Sequence, residues 1–170
     1  DLSDSGRQPM KTDNNQYVLI YNGEIYNYKE IKSELLIKGY SFKGSSDTEV
    51  FLNALIEWGT DAILKFNGMF SFAFFDKREK KLILGRDRYG IKPLYYAKQG
   101  DLFLFGSEQK AILEHPVARK VIDKKTLLEY FTFRNIFTNR TLLENIKLLQ
   151  PASIAKLRYS EDRSLNISQY

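Results

Sequence analysis

The 170-residue sequence contains no cysteine. That removes disulfides, thiolate zinc sites and any cysteine nucleophile from these residues. Histidine occurs once, as His115 in Glu114-His115-Pro116. A lone histidine before a proline reads as a surface loop residue, so a His-activated serine or a multi-histidine metal site has little to build on. The apolar runs are only a few residues long, far short of the roughly 20 that span a bilayer. The opening Asp1-Leu2-Ser3-Asp4-Ser5 is polar and acidic, unlike a secretory signal, and it has no initiator Met. We therefore expect a piece of a longer protein.

What is present describes a globular domain: 43% hydrophobic and 14% aromatic residues over one domain's length. The net charge of +5 invites a nucleic-acid reading. The charges are interspersed, however, and the densest cluster, Lys77-Arg78-Glu79-Lys80-Lys81, falls where a solvated turn is expected.

Residues 1–16 read as a polar loop, broken by Gly6, Pro9 and Asp13-Asn14-Asn15. Tyr17–Tyr21 reads as a buried strand that stops at the turn dipeptide Asn22-Gly23. Asn27 with Glu30, and Ser46 with Glu49, have capping-box spacing, so two helices are expected, closed by Gly39 and Gly59. A weaker helix is expected around 61–66. From Met69 the period becomes two: Phe70, Phe72 and Phe74 form an aromatic face opposite Ser71, Ala73 and Phe75. Lys81–Leu84 completes a hairpin, and further strands are expected at 94–97, 102–105, 153–157 and 165–168, with helices at 108–113 and 124–133. The pattern is an α+β domain of antiparallel sheets covered by helices.

Three segments spend polar residues and glycines where a core has no use for them. In Tyr21–Asn27, the Asn22 amide and the unobstructed Gly23 N–H could stabilise an oxyanion, worth about 3–4 kcal/mol per donor in a dry site; the same dipeptide is also an ordinary turn. In Gly44–Glu49, Asp47 falls in the first turn of a helix, where the dipole favours it by about 0.3–1 kcal/mol with no ligand needed; the functional alternative is that it faces a cleft and holds the ammonium of an amino-acid substrate. Gly85–Tyr95 is a tightly specified turn, read either as a structural loop with an internal Arg–Asp pair or as a substrate contact. Its glycine spacing does not fit a phosphate loop.

Together with Gly68–Ala73 and Gly106–Ala111, these segments occur in an order and spacing that resembles asparagine synthetases that hydrolyse glutamine, from about Asp1 to about Ser153. The resemblance implies the N-terminal-nucleophile hydrolase fold, two antiparallel sheets between helical layers, truncated at its N-terminus. It implies a cysteine exposed at the start of the mature chain, with its own α-amino group as base. Carried over by position, Asn22 (side chain) and Gly23 (backbone N–H) look like the oxyanion hole, Glu24 like part of the glutamine-binding strand end, and Asp47 like the partner of the substrate's α-ammonium. No cofactor is implied for this domain; ATP and magnesium belong to a synthetase domain expected after Tyr170, with the nucleophile segment expected before Asp1. The implied partners are glutamine and that synthetase domain, in a cytoplasmic enzyme, without nucleic acid or membrane; a homodimer is compatible with it. The alternative is a non-hydrolysing scaffold, as in β-lactam-forming synthetases. These residues alone, lacking the nucleophile, are expected to be inactive.

Overall fold

A computed structural model of the chain describes residues 6–159 and 164–170; the opening Asp1–Ser5 lies outside the described residues. The elements run β1 (Met10–Lys11), β2 (Tyr17–Ile25), α1 (Tyr28–Ile37), α2 (Asp47–Trp58), α3 (Ala62–Lys65), β3 (Gly68–Asp76), β4 (Lys81–Arg86), β5 (Tyr95–Gln99), β6 (Leu102–Gly106), α4 (Gln109–Leu113), α5 (Lys124–Phe133), β7 (Ile146–Leu148), β8 (Ser153–Arg158) and β9 (Leu165–Gln169). A six-stranded sheet has the order β1-β2-β3-β4-β8-β9, and a three-stranded sheet the order β6-β5-β7. Every strand pair in both is antiparallel. None of the helices described is long and apolar enough to cross a membrane.

The alternating phenylalanines organise the layers. Phe70, Phe72 and Phe74 of β3 face the helices and join Leu19, Tyr21 and Ile83 with Ile31 and Leu35 of α1 and Phe51 and Leu55 of α2. Phe51 is the hub: its ring lies 4.4 Å from Phe66, 4.6 Å from Tyr21, 5.1 Å from Phe72 and 5.4 Å from Phe70. Complete burial of such a ring contributes about 1.5–3 kcal/mol. The small opposite face lets the second sheet approach, so Ala73, Leu82 and Leu84 meet Leu94, Tyr96 and Leu149. Beyond the second sheet, Ile112 of α4 packs on Ala97 and Ile146. The result is helix, sheet, sheet, helix, as expected.

The structure corrects several local readings. β2 does not stop at Asn22-Gly23; it runs to Ile25, because Asn22 to Ile25 pair with Ser71 to Gly68 of β3. Asn27 precedes α1 but does not cap it. Its side chain instead donates to the Lys65 carbonyl (2.9 Å) and accepts from the Asn67 amide (2.9 Å), tying the start of α1 to the α3–β3 link. Ser46 does cap α2, accepting from Thr48 N–H at 3.1 Å. Glu49 does not close the box: it accepts from the amides of Lys43 and Gly44, both at 2.9 Å. The short strand β1 falls in the segment read as loop, and β7 falls where no element was expected.

Candidate active site

Tyr21 and Ile25 are buried on the helix side of β2, and Asn22 and Glu24, of the opposite parity, are exposed on the other face. Asn22 Nδ2 donates to Ser107 Oγ at 3.3 Å, across the gap between the two sheets. A cavity of about 160 Å³ opens there, bordered by Ile20, Asn22, Ser71, Phe105 and Ser107. Glu24 forms no ion pair among the described residues.

The outer edge of β2 is unusual. Past the two residues paired with β1, it is held by side chains rather than by a strand. Gln8 brackets Tyr21, accepting from its amide at 2.6 Å and donating to its carbonyl at 2.8 Å. The Ile25 amide donates to Asp47 Oδ2 at 3.0 Å. Backbone amides alternate along a strand, so the Gly23 N–H, midway between these two, turns to the same edge. A glycine is required at that point: a Cβ would lie 2.2 Å from the Met69 carbonyl oxygen and 2.6 Å from Phe70 Cα, backbone atoms that cannot step aside.

Asp47 is the first residue of α2, placed by the Ser46 cap. Its Oδ2 also accepts from Tyr21 Oη at 3.0 Å. Burial, followed by the negative charge of Asp47 and the hydrogen bond to it, pushes the Tyr21 phenol up. It therefore remains a proton donor, which locks the carboxylate against the strand. Oδ1 accepts from no donor among the described residues. One oxygen is thus structural and the other is open.

The Gly85–Tyr95 segment is scaffold, and not through an internal ion pair. Arg86 and Asp87 are both buried, and each binds backbone instead of the other. Arg86 donates to the carbonyls of Lys92 (2.9 Å), Leu149 (2.7 Å) and Gly90. Burial pushes its guanidinium pKa down, and the neighbouring Asp87 charge opposes that shift. Asp87 accepts from the amides of Tyr89 and Ile91 at 3.0 Å, Lys92 at 3.1 Å and Phe70 at 3.3 Å. Its own amide donates to the Phe70 carbonyl at 2.8 Å. Phe70 is the register partner of Gly23, so the loop anchors the strand on which the Gly23 peptide rests.

The structure therefore brings Asn22, Gly23 and Asp47 to one end of β2, with Glu24 beside them. Sequence reasoning missed Tyr21, which reads as core, and Gln8, which reads as loop. It quoted Ser107 in a motif without giving it a role. A larger cleft, about 510 Å³, lies away from this strand end, between β1 and the α1–α2 connection. Two of its charged groups are committed within the fold: Lys43 pairs with Asp13, and Glu49 holds two amides.

The family described as "Glutamine amidotransferase domain" matches residues 1–170. "Asparagine synthetase [glutamine-hydrolyzing] 3" of Bacillus subtilis (strain 168) is 42% identical over 98% of this chain, and "Asparagine synthetase [glutamine-hydrolyzing] 1" of the same organism is 38% identical over 94%. The chain spans only 27% and 25% of those two relatives. Among solved structures, glutamine phosphoribosylpyrophosphate amidotransferase from B. subtilis superposes with a TM-score of 0.63 at 20% identity, over 95% of this chain and 31% of that one. A glutamine aminotransferase class-II domain protein from Silicibacter pomeroyi gives 0.57 at 16%, over 99% and 72%. The fold is thus that of the N-terminal-nucleophile amidotransferases, and by the match along its whole length the chain belongs to the glutamine amidotransferase domain family.

Proposed function

We propose that this chain is the greater part of the glutaminase unit of an asparagine synthetase, hydrolysing glutamine to glutamate and supplying ammonia for the ATP-dependent amidation of aspartate. The observation that carries it is the convergence at the end of β2: an amide side chain, an edge N–H on an obligatory glycine, and a carboxylate with one oxygen open. The relatives are named for glutamine hydrolysis, which favours this reading over a scaffold.

The division of labour follows from charge. A cysteine thiolate, supplied from outside these residues, attacks the side-chain amide carbon of glutamine and leaves a negative charge on the former carbonyl oxygen. Asn22 Nδ2 and Gly23 N–H are the donors for that charge, and N–H groups held in place beforehand stabilise an oxyanion as it develops. Asp47 Oδ1 takes the α-ammonium, with Glu24 at the strand end beside it. The tetrahedral adduct collapses as the C–N bond breaks. The α-amino group, protonated by the thiol when the thiolate forms, gives that proton to the nitrogen, which leaves as ammonia; water then cleaves the thioester, releasing glutamate and restoring the thiol. ATP and magnesium would act in a separate synthetase part of the same cytoplasmic polypeptide, activating the carboxylate that receives the ammonia.

The test is glutamate release from glutamine by the full polypeptide. Asn22→Ala is expected to lower kcat by about 10²–10³-fold; a rate equal to wild type would remove Asn22 from the mechanism. Asp47→Asn is expected to act mainly on KM for glutamine. The 170-residue chain by itself is expected to release no glutamate above an enzyme-free blank.

A further inference from the structure

We infer that the tip of the excursion carrying α5 is a docking surface for the remainder of the longer polypeptide, through a partner face that is apolar at its centre and acidic at its margin. The inference rests on the reading that the domain works inside a longer chain, and not on glutamine hydrolysis.

The excursion is pinned at its base by a bridge between Ile122 and Leu143 and by hydrogen bonds from Asp123 N–H to Leu142 O (3.0 Å) and from Glu144 N–H to Val121 O (2.8 Å). Beyond that stem, Thr126 is the one residue of α5 that is fully buried. Leu128, Phe131, Phe133 and Phe137 are 69, 65, 62 and 68% exposed. Side chains of this size leave on the order of 500 Å² of apolar surface in water, at the upper end of what a monomer's largest patch exposes and close to a small inter-domain contact.

The tip is built, not frayed. Asp123 caps the helix, accepting from Lys125 and Thr126 N–H, both at 3.0 Å. The Phe137 amide donates to Glu129 Oε1 at 2.8 Å, and the rings of Phe133 and Phe137 meet edge-on at 5.8 Å. A surface ordered by its own contacts loses little further entropy on docking.

Charge identifies the occupant. Lys124 and Lys125 stand in the first turn, where the helix dipole disfavours cations, and Arg134 follows the last. Their side chains enter no ion pair among the described residues. Against a second copy, antiparallel helices would bring the two lysines onto Arg134, and parallel helices would bring lysine onto lysine; either arrangement sets cation against cation. A different surface with acidic margins has neither conflict. The two synthetase relatives have about three quarters of their length outside the aligned region, and that part supplies the candidate surface.

The test places the photo-crosslinking residue p-benzoylphenylalanine at position 128, 131 or 137 of the full polypeptide, with the exposed Ile37 position on α1 as control. Mixed ¹⁴N- and ¹⁵N-labelled protein separates links within one chain from links between copies. The expected result is intrachain links from all three positions to peptides outside residues 1–170, above the yield from position 37. Links between copies, links confined to residues 1–170, or yields no higher than the control would each overturn the proposal. Hydrogen exchange of the unsubstituted polypeptide gives an independent reading. Amides of α5 should exchange at least about tenfold more slowly there than in the 170-residue chain, and equal rates count against docking. Glutamate release measured on the same preparations keeps the two readings apart, since crosslinks without hydrolysis would sink only the glutaminase assignment.

Discussion

Helices α2 and α5 begin alike and end in opposite circumstances. Each has a side-chain N-cap, Ser46 or Asp123, and each carries large apolar residues at helical spacing. Yet α2 buries Thr48, Val50, Phe51, Leu52, Ala54 and Leu55, whereas α5 buries Thr126 alone. Local chemistry decides that a helix forms; what lies opposite decides whether its apolar face is covered. The aromatic face of β3 lies opposite α2. No comparable face among the described residues lies opposite α5.

The comparison can be broken most directly at its apolar centre. Phe51→Ala should cost about 3–5 kcal/mol, because four aromatic rings close on that side chain. Phe131→Ala in the same 170-residue chain should stay within about 0.5 kcal/mol. Urea unfolding of both variants measures the contrast, and equal costs would mean that α5 is already covered in solution. The caps give a smaller and more informative effect. Ser46→Ala and Asp123→Ala should each cost their helix about 1 kcal/mol. The first should lower the global midpoint, while the second should appear as faster exchange confined to α5, which opens without the core.

The smallest effect is one of pH. The amides of Thr126 and Lys125, the Thr126 bond being the larger influence, hold the Asp123 carboxyl below the usual carboxylate range. A depressed folded-state value means that the charged cap contributes fully above the ordinary aspartate pKa of about 3.9 and fades as pH falls through the lower folded value. Carboxyl NMR should find the Asp123 midpoint below that of an unfolded aspartate. In Asp123→Asn, which caps without a charge, the amide shifts of Lys125 and Thr126 should no longer follow that titration. A midpoint at the ordinary value would show that the cap bonds are absent in solution.

The layers were legible in the sequence because local and tertiary preferences agree in them. The period-two phenylalanines, the Ser46 cap and Gly59 all point where the fold puts them. The errors fall where a distant partner outbids a local preference. Asn22-Gly23 has turn chemistry, but pairing with β3 holds it extended. Asn27 has the spacing of a capping box, but Lys65 and Asn67, about forty residues along, take its side chain. Strands β1 and β7, of two and three residues, are too short to show a period. At the candidate site, Asp47 could be picked out as a first-turn acid. Its tie to Tyr21 could not, because a tyrosine in an apolar run reads only as core.

That tie has a consequence for how a ligand would be met. An aspartate free to turn would lose its freedom only when something bound, at a cost of about 0.5–1.5 kcal/mol for an ordered side chain. Here Tyr21 and the Ile25 amide fix Oδ2 from two directions, so the torsions are set during folding and Oδ1 has one heading. On the proposed reading, the carboxylate is oriented for its ligand before one arrives. Tyr21→Phe would leave the carboxylate and its charge in place and return the missing rotation to it. Its effect on ligand affinity would therefore measure rigidity separately from charge.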